Sequence, residues 1–118
     1  MGDNRQDQIE ALQALADYTG RLNTAMEAVA KELCSQKEED TDEFLKQIIE
    51  GINWSIQVVN GTLEFINEDE TKLDKEEIND RVLAFSRAYQ SGNDKVCGFA
   101  LINLIPIFKK IHEVASQY

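Results

Sequence analysis

The chain has 118 residues, of which 42% are hydrophobic and 29% charged, and its formal net charge is −10. That length suits one domain, residues 1–118, with its own apolar core, while one Pro and six Gly exclude a fibrous or disordered chain. An acidic surface repels phosphate backbones and anionic lipid heads, so the expected partner is a protein, with no nucleic acid and no membrane.

The opening segment, MGDNRQDQIE, lacks the apolar core of a signal peptide, and Gln6 stands where myristoylation at Gly2 wants Ser or Thr. No apolar run approaches the roughly 20 residues of a spanning helix. A cytoplasmic location is therefore expected. Cys34 and Cys97 are isolated, with no CxxC spacing, which suits reduced core thiols.

The first helix is expected over about residues 5–36. Leu12, Leu15, Thr19, Leu22, Met26, Val29 and Leu33 recur at steps of three and four, giving one apolar stripe with Thr19 as its single polar member. A second helix should start near Asp40 or Thr41, where Asp40 and Glu43 have capping-box spacing. Its main stripe runs from Leu45 through Ile48, Ile52, Ile56, Val59 and Leu63 to Ile66. Trp54, Val58, Gly61 and Phe65 form a second stripe on nearly the opposite side. Asn60-Gly61, with alternating apolar residues around it, also suits a β-hairpin. The helix is preferred because its stripe is unbroken from Leu45 to Ile66 and a lone hairpin is marginally stable.

The third helix has the clearest start signal. Asp74 is placed to cap it, Glu77 completes a capping box, and Leu73 and Ile78 form a hydrophobic staple. Ile78, Val82, Phe85 and Tyr89 share its apolar face, and Gly92 suits a left-handed stop. The fourth helix is expected to begin at Asp94, whose carboxylate should cap it, with Cys97, Ala100, Leu104, Phe108 and Ile111 inward and Phe99 and Ile102 outward. Pro106 should kink it, with Asn103 placed to satisfy a freed carbonyl. The expected fold is all-α: a four-helix bundle, mostly antiparallel, with helices 1 and 3 outer and helices 2 and 4 central or interfacial.

The segment from Phe44 to Phe108, through LKQIIEGINWSIQ and AYQSGNDKVCGFALINLIPIFKKI, resembles a group of small, acidic, uncharacterised bacterial helical-bundle proteins. That resemblance implies the fold and no activity for any residue. The layout is also similar to bacterial flagellar export chaperones, in architecture alone.

Catalytic patterns are weak. The only histidine is His112, and Lys109 stands three residues before it, so the Glu-x-x-His motif of di-iron bundles is absent. Glu38, Glu39, Asp42, Glu77 and Asp80 loosely suit a magnesium-dependent nucleotide pyrophosphohydrolase, but they sit where helix starts favour acids anyway. No cofactor, metal ligand or catalytic residue is expected. Two 13-residue stretches, Gly51–Leu63 and Val96–Phe108, carry no charge at all. The expected function is therefore a non-catalytic interaction module, an adaptor, regulator or chaperone. Its partner-binding residues would be Trp54, Val58, Phe65, Phe99 and Ile102, buried against a protein partner or a second copy in a homodimer. The alternatives are the magnesium enzyme and a bundle that holds a small apolar ligand between helices 2 and 4.

Overall fold

Apolar stripes at helical spacing fold into helices that bury those stripes against one another. A computed structural model, which describes residues 4–118, shows α1 (Asn4–Cys34), α2 (Thr41–Ile66), α3 (Lys75–Gln90) and α4 (Asp94–Ala115). Gly2, and with it the myristoylation argument, lies outside the described residues. No strand occurs among them, and residues 52–66 are helical throughout. The hairpin signal at Asn60-Gly61 loses because Ile52, Val59 and Ile66 are all buried on one helical face.

The helix ends show which local signals act. Asp74 caps α3, its Oδ1 accepting from the backbone N–H groups of Glu76 and Glu77 at 3.0 and 3.3 Å. Leu73 and Ile78 are both buried beside it, as a staple requires. Gly92 takes φ +75°, the left-handed conformation that stops α3. Two expected caps differ. Asp40 makes no side-chain cap hydrogen bond. Instead Thr41 Oγ1 accepts from Glu38 N–H at 2.8 Å and donates to Glu32 Oε1 at 2.5 Å. At α4 the cap is Asn93, whose Oδ1 accepts from Val96 N–H at 3.1 Å. Asp94 is free to pair with Lys37 Nζ at 3.3 Å, and the same ammonium pairs with Asp42 at 2.8 Å. Hydrogen bonding to Asp42 leads in raising Lys37 above its ordinary value. Asn67 organises the α2–α3 loop: its Oδ1 accepts from Lys72 and Leu73 N–H, and its Nδ2 donates to the Leu73 carbonyl.

The four helices form a bundle of 50 × 24 × 20 Å in which close neighbours follow the order α2, α1, α4, α3. The α1–α4 seam is the most extensive, α2 lies on α1, and α3 lies on α4. All three pairs are antiparallel. Along the first seam Gln13 Nε2 donates to the Tyr118 carbonyl at 3.4 Å and Asn23 Nδ2 to the Phe108 carbonyl at 3.2 Å. Lys109 pairs with Glu27 at 2.9 Å. Along the second, Arg5 meets Glu68 at one end and Thr41 meets Glu32 at the other. This corrects the expectation that α1 is an outer helix with one stripe. Asn23 and Ala30 extend its buried face toward α4, while Tyr18 and Ala25 extend it toward α2. Alanines and a lone Asn add little to a hydropathy pattern, so α1 reads as one-sided in sequence while being central in space.

The core includes Leu12, Leu15, Met26, Ile52, Leu101, Leu104, Phe108 and Ile111, each essentially inaccessible. Each such side chain contributes on the order of 2 kcal/mol by leaving water. The helix runs through Pro106 as one element. The proline has no N–H to donate, and one carbonyl beside it finds another donor: Arg81 Nη1 of α3 reaches the Asn103 carbonyl at 2.9 Å. That carbonyl is one residue beyond Ile102, whose oxygen the proline leaves without its helical donor, and the Asn103 amide expected from sequence to serve it makes no such hydrogen bond among the described residues.

Two glycines predict opposite outcomes. A Cβ at Gly98 would lie 2.6 Å from Cys34 Sγ and 3.1 Å from Leu33 Cβ, so Gly98→Val should lose about 1–3 kcal/mol through overpacking of the α1–α4 seam. A Cβ at Gly61 meets nothing within 4 Å, so Gly61→Ala should gain about 0.5–1 kcal/mol from helix propensity. Urea unfolding midpoints of the two variants check both signs.

Candidate functional site

The five side chains expected to form one partner-binding patch do not lie together. Phe65 is buried, at 7% exposure, and is a correction. Its ring packs against Tyr118 with centroids 5.5 Å apart, and Arg5 places its guanidinium 4.8 Å above it. The physical reason is length: the first turns of α1 and Tyr118, three residues past the end of α4, both reach the end of α2 and cover it. Val58 is half-buried against the core. Trp54, Phe99 and Ile102 remain exposed, at 40%, 59% and 44%.

The survivors divide into two faces. Trp54 of α2 meets Tyr18 of α1 edge-on, with centroids 5.2 Å apart and planes at 78°. Tyr18 is next to Thr19, and Thr19 is opposite His112 of α4. Phe99 precedes His112 by 13 residues, about 20 Å of helix, so Trp54 and Phe99 lie at different heights in the bundle. No close backbone approach joins α2 to α4 among the described residues.

The first face is the outward stripe of α4. Val96, Phe99 and Ile102 follow at three-residue spacing, one turn apart, and Val96 is itself 47% exposed. Pro106 continues the stripe toward Lys109 and Lys110, all exposed. The inward side of the same helix is fully committed to the core through Leu101, Leu104 and Phe108. Among the described residues the outward side stays exposed at Val96, Phe99 and Ile102.

The second face is the corner between α1 and α2. A shallow cleft there is lined by Tyr18, Gln47, Glu50, Gly51 and Trp54. Gly51 makes it possible: the Tyr18 hydroxyl lies where a Cβ at position 51 would be, and Leu22 Cδ1 is 3.1 Å from that point. On the other side of Tyr18 a second indentation is lined by Arg21, Ala25, Phe44 and Ile48. Sequence reasoning missed Tyr18, Glu50 and Phe44. Tyr18 falls between the positions of the α1 stripe, and its role depends on a neighbour from another helix.

The chemically reactive groups are otherwise occupied. His112 is half-buried at the α1–α4 seam, with Nδ1 3.1 Å from Thr19 Oγ1. Thr19 Oγ1 donates to the Leu15 carbonyl at 2.7 Å, so the His112 Nδ1–H is the donor to Thr19. Gly20 leaves room for that ring, a Cβ there falling 3.3 Å from His112 Cε1. Glu38, Glu39, Asp42, Glu77 and Asp80 are all exposed, and α2 and α3 make no close backbone approach. Among the described residues no three His, Cys, Asp or Glu side chains are grouped to hold a metal ion. No described helix is long and apolar enough to cross a membrane.

Both cysteines are free thiols, with Cys97 buried and Cys34 half-buried. Burial pushes the Cys97 thiol up to about 11, with Asp94 adding in the same direction. The thiolate is the nucleophilic form, so Cys97 is a poor nucleophile at neutral pH.

Together these features define a small all-α bundle with two exposed apolar faces. The chain belongs to the family described as domain of unknown function DUF8042, whose model matches residues 10–114. No curated protein and no solved structure matches it.

Two measurements follow from the cysteines. Iodoacetamide at pH 8 should alkylate Cys34 well before Cys97 in the native state, as read by peptide mass spectrometry. The raised pKa of Cys97 also stabilises the fold at pH below about 9, and this contribution is lost as pH rises toward 11. Cys97→Ala should therefore flatten the alkaline limb of a stability-against-pH curve measured by urea unfolding.

Proposed function

We propose that the chain is a non-catalytic protein-interaction module that buries the outward stripe of α4 against another protein chain. The observation that carries this reading is the exposure of Val96, Phe99 and Ile102 on successive turns. Isolated exposed apolar residues are ordinary, but an uninterrupted aromatic and aliphatic row is the pattern from which binding hot spots are drawn. The row lies in a stretch without charge, Val96–Phe108, within a strongly acidic chain. A charged side chain there would require desolvation on binding, and none is present.

The simplest occupant is a second copy. One patch suffices for an isologous dimer, whereas a hetero-complex needs two complementary ones. An adaptor, regulator or chaperone role fits the same surface with a different protein in that place.

Light scattering on a size-exclusion column, across a dilution series, tests the reading. Phe99→Ser should leave the unfolding midpoint within about 0.5 kcal/mol of the parent, because the side chain is outside the core. It should weaken association by at least about tenfold, the loss of one central aromatic anchor. A parent that is monomeric at every concentration removes the homodimer form. A Phe99→Ser protein that is destabilised by several kcal/mol would show that the stripe is structural, and the proposal would fail.

A further inference from the structure

We infer that the Trp54–Tyr18 corner is a binding site for an arginine side chain of a partner protein, held between the Trp54 ring and the Glu50 carboxylate. This inference rests on the reading of the chain as an interaction module and adds a second contact of stated chemistry.

The argument comes from what the molecule already does with its own arginines. Arg5 lies 4.8 Å above the Phe65 ring and pairs with Glu68 at 3.1 Å. Arg21 lies 5.8 Å from the Tyr18 ring centre and pairs with Asp17 at 3.3 Å. In each case one guanidinium is held by an aromatic ring and by a carboxylate within three residues of that ring. Trp54 and Glu50 repeat the arrangement on α2 at a spacing of four residues, which places both on one helix face. Among the described residues Glu50 forms no ion pair and the Trp54 ring carries no cation, whereas Lys72 lies over Tyr118 at 5.1 Å.

The cleft itself suits a planar cation. Tyr18 stands at 78° to Trp54, giving two walls at nearly a right angle. Gly51 lets the Tyr18 ring lie close against α2 and so form a wall of the cleft, and Gln47 adds an amide at the rim. Indole is the strongest of the aromatic faces for a cation, and a guanidinium stacks on it while its N–H fork still reaches a carboxylate. An apolar occupant would leave Glu50 and Gln47 desolvated without partners. A net charge of −10 also draws a basic segment toward the surface before it docks.

The test is a titration of the full chain with the peptide acetyl-Gly-Arg-Gly-Arg-Gly-amide, followed through the single tryptophan. The control peptide carries citrulline in place of arginine, with the same shape and no charge. The expected result is a saturable change in Trp54 emission with the arginine peptide and binding weaker by about fivefold or more with citrulline. Glu50→Gln should weaken the arginine peptide similarly, and Glu113→Gln, which removes an equal charge on α4, should not. Calorimetry with Trp54→Leu, whose fold is checked by circular dichroism, should show the same loss.

Equal weakening by Glu50→Gln and Glu113→Gln would mean attraction to the overall charge only and would overturn the site. Equal binding of the arginine and citrulline peptides would do so too. Self-association of the chain that Glu50→Gln abolishes would assign the arginine to a second copy and overturn the partner proposed here. If peptide binding fails while Phe99→Ser still weakens association, this inference alone is lost and the α4 reading stands.

Discussion

The close approach of α1 and α4 is the constraint on which the rest of the structure depends. Gly98 allows it by placing no side chain against Leu33 and Cys34. Asn23 crosses the seam to a backbone carbonyl, and Thr19 with His112 closes another polar contact within it. These bonds are directional and fix register where apolar contacts alone would tolerate sliding, although the Asn23 Oδ1 itself is buried without a partner among the described residues. Once α1 and α4 are aligned, α2 and α3 have one flank each on which to pack, and the outward side of α4 is left uncovered.

That arrangement explains why one uncharged stretch is absorbed and the other is not. Gly51–Leu63 is on a helix whose apolar residues nearly all find neighbours: Ile52 and Val59 lie in the core, Val58 packs against it, and the Trp54 ring meets Tyr18 of α1. Val96–Phe108 is on a helix that already touches both of its neighbours through its inward half. Its remaining apolar residues have no further helix to meet. Equal hydropathy in two segments thus leads to different exposure, because exposure depends on how many neighbours a helix has.

The helices themselves were legible in the sequence. The α1 stripe from Leu12 to Leu33 is buried at every expected position, and Asp74 caps α3 as its spacing indicated. The candidate site was legible only in part. Phe99 and Ile102 point outward because they oppose Leu104 and Phe108 on a single helix, a relation that periodicity carries. The burial of Phe65 depends on how far α1 and Tyr118 overhang the end of α2, and no local pattern encodes an overhang. The corner at Trp54 depends on Tyr18 from another helix. The central place of α1 was hidden because its extra contacts come from Ala25, Ala30, Asn23 and Tyr18, residues with weak or mixed hydropathy.

The attachment of α3 has a consequence for how the molecule opens. This 16-residue helix packs closely along α4 alone and is tied to it by a three-residue turn. Its detachment would take Ile78 and Phe85 out of the core that all four helices share. It would also withdraw Arg81 from the Asn103 carbonyl, removing a side-chain hydrogen bond between α3 and α4 close to Pro106. Opening of the smallest helix would therefore also strip a contact from the proline-bearing one, next to the segment that carries Phe99 and Ile102.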